Sequence, residues 1–169
     1  MGGGILPVAI HNNEIYLFFG REALFPNTKS SGLWSDFGGS KENNETTFQT
    51  ALREGWEETS GILGNMKKLK QTMKENTIGT IYTRTYATFL IEIKYDPKLP
   101  KLLKKKYNYA LKHHKDKVSE ANGLYEKDRG KWISLKQLKN IDKNKTIKFR
   151  KWYIPIVKKI IYFFENYYK

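Results

Sequence analysis

Four charged residues within six positions carry the chemistry of this chain: Arg53-Glu54-Gly55-Trp56-Glu57-Glu58. If this segment is helical, Glu54, Glu57 and Glu58 stand at i, i+3 and i+4, so one face presents three carboxylates within a turn. Like charges at that spacing destabilise a bare helix, and something must offset the repulsion. A divalent cation is the economical candidate. All-oxygen ligation suits Mg²⁺ or Mn²⁺ rather than zinc. Gly38-Gly39, just ahead, allows a tight loop whose carbonyls can approach the same ion. Arg53 can swing to a carboxylate, and Glu45, two turns earlier, is a candidate partner for it.

These residues need a scaffold. Phe48, Ala51, Leu52 and Trp56 recur at helical spacing, which predicts an amphipathic helix of about four turns from Glu45 to Gly61. Before it, Ile5–Ile10 and Glu14–Phe19 are β-rich runs flanking His11-Asn12-Asn13, the pattern of a hairpin. Leu33–Phe37 reads as a short extended piece ending at Gly38-Gly39. After the helix, Thr77–Tyr82 and Thr85–Ile93 predict two strands, and Pro97 and Pro100 a loop. Leu102–Lys115 predicts a short basic helix. Lys131–Leu135 predicts a late strand, with Ser134 capping a short helix over Leu135–Leu138. Phe149, Trp152, Tyr153, Ile156, Val157, Ile160, Ile161 and Phe164 form the stripe of a terminal helix at about 148–167, read as a core face rather than a membrane-surface face. The fold class expected is α/β (α+β), in one domain over 1–169.

The 169 residues suffice for one core, and 39% hydrophobic with 28% charged residues is a globular composition. No cysteine is present, which excludes disulfides, thiolate zinc sites and a Cys nucleophile. No apolar run reaches the roughly 18 residues of a membrane span. The start, Met1-Gly2-Gly3-Gly4-Ile5, lacks a signal-peptide pattern, so an intracellular, soluble protein is expected. The net charge of +14 is unevenly spread. Residues 1–61 hold four basic and eight acidic groups, whereas the remainder carries a large basic excess. An acidic pocket beside a basic surface suits a metal-assisted enzyme for polyanions. AT-rich coding, with 26 lysines against five arginines, accounts for the same excess equally well.

The segment from Gly39 through Glu45, Arg53, Glu54, Glu57 and Glu58 to Gly61 resembles the Nudix box, G-x5-E-x7-R-E-U-x-E-E-x-G-U, where U is bulky and apolar. The opening hairpin and the Lys131–Leu135 strand are also similar to the family's. Trp34-Ser35-Asp36-Phe37-Gly38-Gly39 is similar to members found in large DNA viruses. Two positions depart: Gly55 takes the first U, and Ser60 stands where the last glycine is expected, with Gly61 one place late, which implies a shifted helix exit. The resemblance implies a mixed β-sheet sandwiched between helices, with the box over 39–61, a basic insertion at about 98–117, and hydrolysis of a nucleoside diphosphate linked to another moiety. It also implies that Glu54, Glu57 and Glu58 ligate Mg²⁺ or Mn²⁺, one of them also serving as base, with the Gly38 carbonyl completing the shell. Arg53 would hold the carboxylates, and Gly39 and Glu45 would support the box, Glu45 through loop–helix packing or an outer metal site. A further catalytic carboxylate is expected before the late strand: Glu126 first, Glu120 second.

Substrate choice lies outside the box. The proline expected about sixteen residues beyond it in ADP-ribose members is absent, as are the NADH-type and coenzyme-A patterns. What remains is a phosphate-rich nucleotide or small molecule, including dinucleoside polyphosphates, diphosphoinositol polyphosphates and the 5′ cap of RNA. Residues 98–117 hold eight lysines, and Lys104, Lys105, Lys106 and Tyr107 are the substrate-binding candidates: lysines neutralise phosphates, and an aromatic stacks on a base. An RNA-decapping enzyme or a diphosphoinositol-polyphosphate hydrolase is therefore the alternative reading. A non-catalytic nucleotide- or RNA-binding module ranks last, because the carboxylate set is complete. A monomer or homodimer without membrane contact is expected.

Overall fold

The computed structural model describes residues 1–26, 28–118, 124–143, 146–166 and 168. The hairpin forms as expected from strands β1 (Gly2–His11) and β2 (Glu14–Glu22). Asn12 and Asn13 both take positive φ (50° and 59°), the conformation a two-residue hairpin turn requires and one that asparagine tolerates. Strands β3 (Trp34–Ser35), β4 (Phe37–Gly39), β5 (Thr77–Tyr82), β6 (Tyr86–Glu92) and β7 (Lys127–Ser134) complete a seven-stranded mixed sheet. Its path runs β3-β2-β1-β6-β5, with β4 also paired to β1 and β7 to β2. The β1–β6 pair is parallel and the others are antiparallel.

Alternation along β1 divides the core in two. Ile5 and Ala9, with Phe18 and Phe37, pack under helices α1 (Thr47–Glu58), α2 (Met66–Asn76) and α3 (Leu99–His113). Leu6 and Val8, with Leu17, Phe19 and Ile133, pack under α4 (Leu135–Lys139) and α5 (Ile154–Asn166). This is the sheet between helices that the resemblance implies, and burial on both faces fixes the strand register.

Four expectations need correction. Helix α2 was not foreseen, because only Leu69 and Met73 are buried along a lysine-rich segment; their i, i+4 spacing and the Asn65 cap, which accepts from the Lys68 N–H at 2.9 Å, are the signal. Pro100 lies in the first turn of α3 rather than in a loop, where its missing N–H costs nothing. Strand β7 begins at Lys127, four residues before the expected start. Trp152 leaves the apolar stripe: a 3-10 turn over Lys151–Tyr153 precedes α5 and leaves its side chain 42% exposed.

Candidate active site

Helix α1 starts with a reciprocal cap: Gln49 N–H donates to Thr46 Oγ1, and Thr46 N–H to Gln49 Oε1. It ends in a Schellman turn, in which the Ser60 N–H donates to Glu57 O at 2.9 Å and the Gly61 N–H to Trp56 O at 3.1 Å. The late glycine therefore does not shift the helix exit. Ser60 itself adopts φ 52°, where the box pattern has glycine, and its Oγ is buried with no hydrogen-bond partner among the described residues. Gly55 also has a physical reason. A Cβ there would lie 2.6 Å from Ile5 Cδ1, so Ile5 of β1 fills the space of the missing apolar side chain and α1 seats closely on the sheet.

The three helix carboxylates divide into two settings. Arg53 serves one of them. Its Nε and NH2 donate to the two oxygens of Glu45 at 2.8 and 3.0 Å, and its NH1 reaches Glu54 at 2.9 Å and Glu57 at 3.2 Å. NH2 also donates to the Ser40 carbonyl at 3.1 Å, which ties the loop to the helix. The Arg53 hydrogen bonds hold the Glu45 carboxyl down at about 2. Burial raises the Glu54 and Glu57 carboxyls, against the opposing pull of Arg53. The Glu54 carboxylate lies against Gly39, where a Cβ would come within 2.6 Å of it. A side chain there would displace the Glu54 carboxylate.

Glu58 turns the other way and is 2% exposed. It accepts from the Gly38 N–H at 2.6 Å, so Gly38 meets it through its amide. Lys127 Nζ stands 3.5 Å away; it also pairs with Glu22 and donates to Ser35 Oγ at 3.0 Å. Arg150 NH1 donates to Glu22 at 3.0 Å. Burial pushes the Glu58 carboxyl well above the ordinary carboxylate value, and Lys127 only partly opposes this. Burial works to lower Lys127 as well, but Glu22 and Glu58 outweigh it and hold the ammonium above its usual value. Arg53 and Lys127 thus supply part of the charge compensation that the spacing called for.

Glu22, Glu58 and Glu126 each offer a carboxylate oxygen within 4.8 Å of the other two. Together they form an all-oxygen donor set that fits a hard divalent cation. The structure thus brings Glu126 beside Glu58. Glu120 lies outside the described residues. Sequence reasoning missed Glu22 and Lys127. The signal for Glu22 was its place at the end of β2, a buried strand, where a carboxylate needs a partner. Lys127 follows Glu126 directly, but the strand was expected to start later. Lys104, Lys105 and Lys106 point to solvent from α3, which packs on β7 through Leu99, Leu103 and Ala110. Tyr107 is half-buried near the Arg21–Asp128 ion pair, and its hydroxyl is raised first by burial and then by Asp128.

Known structures share this architecture. A Nudix hydrolase from M. smegmatis, RenU, superposes with a TM-score of 0.58 over 98% of this chain and 86% of its own, at 13% identity. A C. elegans Ap4A hydrolase in a binary complex superposes with a TM-score of 0.55 over 99% of this chain and 100% of its own, also at 13% identity. The chain has the Nudix hydrolase fold. No family model matches the sequence. In sequence, 67 residues, or 39% of this chain, are 43% identical to uncharacterized protein L534 of Acanthamoeba polyphaga mimivirus. The match spans about a fifth of that protein (21%). Among the described residues, no helix is long and apolar enough to cross a membrane.

Proposed function

We propose that this chain is a divalent-metal-dependent hydrolase that cuts a phosphoanhydride in a nucleoside-diphosphate-linked substrate. The observation that carries this reading is the convergence of Glu22, Glu58 and Glu126 next to the Glu54–Glu57 face of α1, within a fold shared with Nudix hydrolases. Glu58, Glu22 and Glu126 would hold one Mg²⁺ or Mn²⁺, with Glu54, Glu57 and the Gly38 carbonyl as the remaining ligand candidates. A bound divalent cation neutralises phosphate oxygens and lowers the pKa of a water molecule.

The protein's own groups do the rest. Arg53 fixes the rotamers of Glu54 and Glu57, and Glu45 fixes Arg53, so that face is organised before substrate arrives. The Gly38 N–H and Lys127 orient Glu58 and allow three acidic groups to share one small volume. Glu126, at the edge of this cluster, is the residue assigned to accept the proton of the attacking water. The test is hydrolysis of a substrate panel (nucleoside triphosphates, dinucleoside polyphosphates, a diphosphoinositol polyphosphate and capped RNA) with Mg²⁺ and with Mn²⁺. Activity that survives in both Glu58→Gln and Glu57→Gln would overturn the reading.

One observation favours capped RNA as a second reading. Lys98, Lys101, Lys104, Lys105, Lys106 and Lys112 are all exposed on or beside α3, a basic surface that could follow a phosphate backbone. It requires release of a cap nucleotide diphosphate that falls steeply with salt.

A further inference from the structure

A cavity of ≈ 570 Å³ is lined by Gly38 and Gly39 at the end of β4 and by Ser40 beyond it. Its walls carry Lys41, Arg84, Arg150, Tyr86 and Trp152, and among the described residues no acidic side chain lines it. The Glu54 carboxylate rests on Gly39, so the groove and the carboxylates share one strip of backbone. Arg150 links the two. Its NH1 bonds Glu22 at 3.0 Å, while its guanidinium carbon lies 5.3 Å from the centre of the Trp152 ring. Tyr86 holds that ring edge-on at 4.9 Å.

Trp152 also stands in this groove. The terminal stripe would bury it; instead it is 42% exposed, in a short turn braced by Arg150, Tyr86 and Tyr153. Trp34 and Trp132 are buried at 7% and 8%. A fixed, exposed indole among cations is suited to stacking on an aromatic base whose attached phosphates meet the arginines and the lysine.

We propose that this groove is a subsite for a nucleotide, in which Trp152 stacks on the base and Arg84, Arg150 and Lys41 receive the phosphates on their way to the carboxylates. The proposal rests on the hydrolase reading and narrows it: base-bearing substrates are favoured over base-free diphosphoinositol compounds.

The experiment is calorimetric titration of the full chain with ADP, and separately with inorganic pyrophosphate, without divalent metal. Trp152→Ala is expected to weaken ADP about 10- to 100-fold, the loss of one stacked base, and to leave pyrophosphate within about twofold. Trp152→Phe should recover most of the ADP affinity, and Arg84→Ala should weaken both ligands. An absence of ADP binding by the wild type, or equal ADP binding by wild type and Trp152→Ala, overturns the subsite. So does a parallel loss of both ligands in Trp152→Ala. If Trp152→Ala does not fold, unchanged binding of both ligands by Arg84→Ala overturns it instead. None of these results touches the hydrolase reading, which stands or falls on the Glu57 and Glu58 variants.

Discussion

Lys127 Nζ lies 3.5 Å from Glu58 Oε1, and the lysine has no exposed surface. A buried ammonium between Glu58 and Glu22 is what allows this cluster of carboxylates to form before any metal arrives. Removing it leaves two acids in low dielectric without their counter-charge. Lys127→Met is therefore expected to destabilise the fold by about 3–5 kcal/mol. Adding Glu22→Gln to that variant should recover part of the loss. Thermal or urea unfolding of the single and double variants checks this, and additive losses would contradict it.

The two carboxylate settings should separate stability from activity. Glu57→Gln keeps shape and removes only one partner of a partly buried network in which Arg53 retains Glu45 and Glu54, so its unfolding midpoint should stay within a few degrees of wild type. Glu58→Gln should likewise remain folded. Both are expected to lose at least about 100-fold in phosphoanhydride hydrolysis, because a neutral amide is a poor ligand and supplies no charge. Phosphate or nucleotide release under saturating Mg²⁺ or Mn²⁺ reads this directly.

Ser60 holds a left-handed conformation that costs a non-glycine residue about 1 kcal/mol or more, and its buried hydroxyl adds to the strain. Ser60→Gly should stabilise the chain by about 1 kcal/mol, seen as a rise in Tm of roughly 2–4 °C for a domain of this size. A lower Tm would mean that the Schellman turn is not the determinant.

Gly55 and Ile5 should behave as a pair. Gly55→Ala improves helix propensity by about 1 kcal/mol but pushes a methyl group into Ile5. The expected net result is destabilisation. Ile5→Ala should cost less in the Gly55→Ala background than alone, and a double-mutant cycle with no coupling would refute the contact.

Asp36 sets a pH dependence. It is fully buried and accepts from Thr88 Oγ1 at 2.7 Å and Tyr86 OH at 3.1 Å, yet burial still pushes its carboxyl up to about 6. A raised folded-state value means the folded chain holds the proton more tightly than the unfolded chain does. The stabilisation is therefore complete below about 3.8 and is lost as pH rises towards 6, for a total of about 3 kcal/mol. Asp36→Asn should flatten the stability profile between pH 4 and 6 relative to wild type. Parallel profiles from chemical unfolding across that range would count against it.

The hairpin, the box helix, the late strand and its Ser134 cap were all readable from the chain, because each is fixed by local periodicity, turn residues or side-chain-to-backbone bonds within a few positions. Arg53 and Glu45 were readable as partners for the same reason: they are eight positions apart, in and just before the same helix. Helix α2 was not readable, since two buried residues make too weak a stripe. Glu22, Lys127 and Trp152 were beyond reach for a deeper reason. Glu22 and Lys127 are 105 positions apart and meet only because β2 pairs with β7, and the bulge between Arg21 and Glu22 sets their register. Trp152 reaches its groove because Phe149 bridges to Trp34 of β3 and Tyr86 of β6 packs on the indole, contacts 115 and 66 positions apart in the chain. Sequence spacing determined which carboxylates share a helix and that Arg53 can reach two of them; strand pairing decided that Lys127 neutralises the buried Glu58, because charge compensation in a core depends on distance through space rather than along the chain.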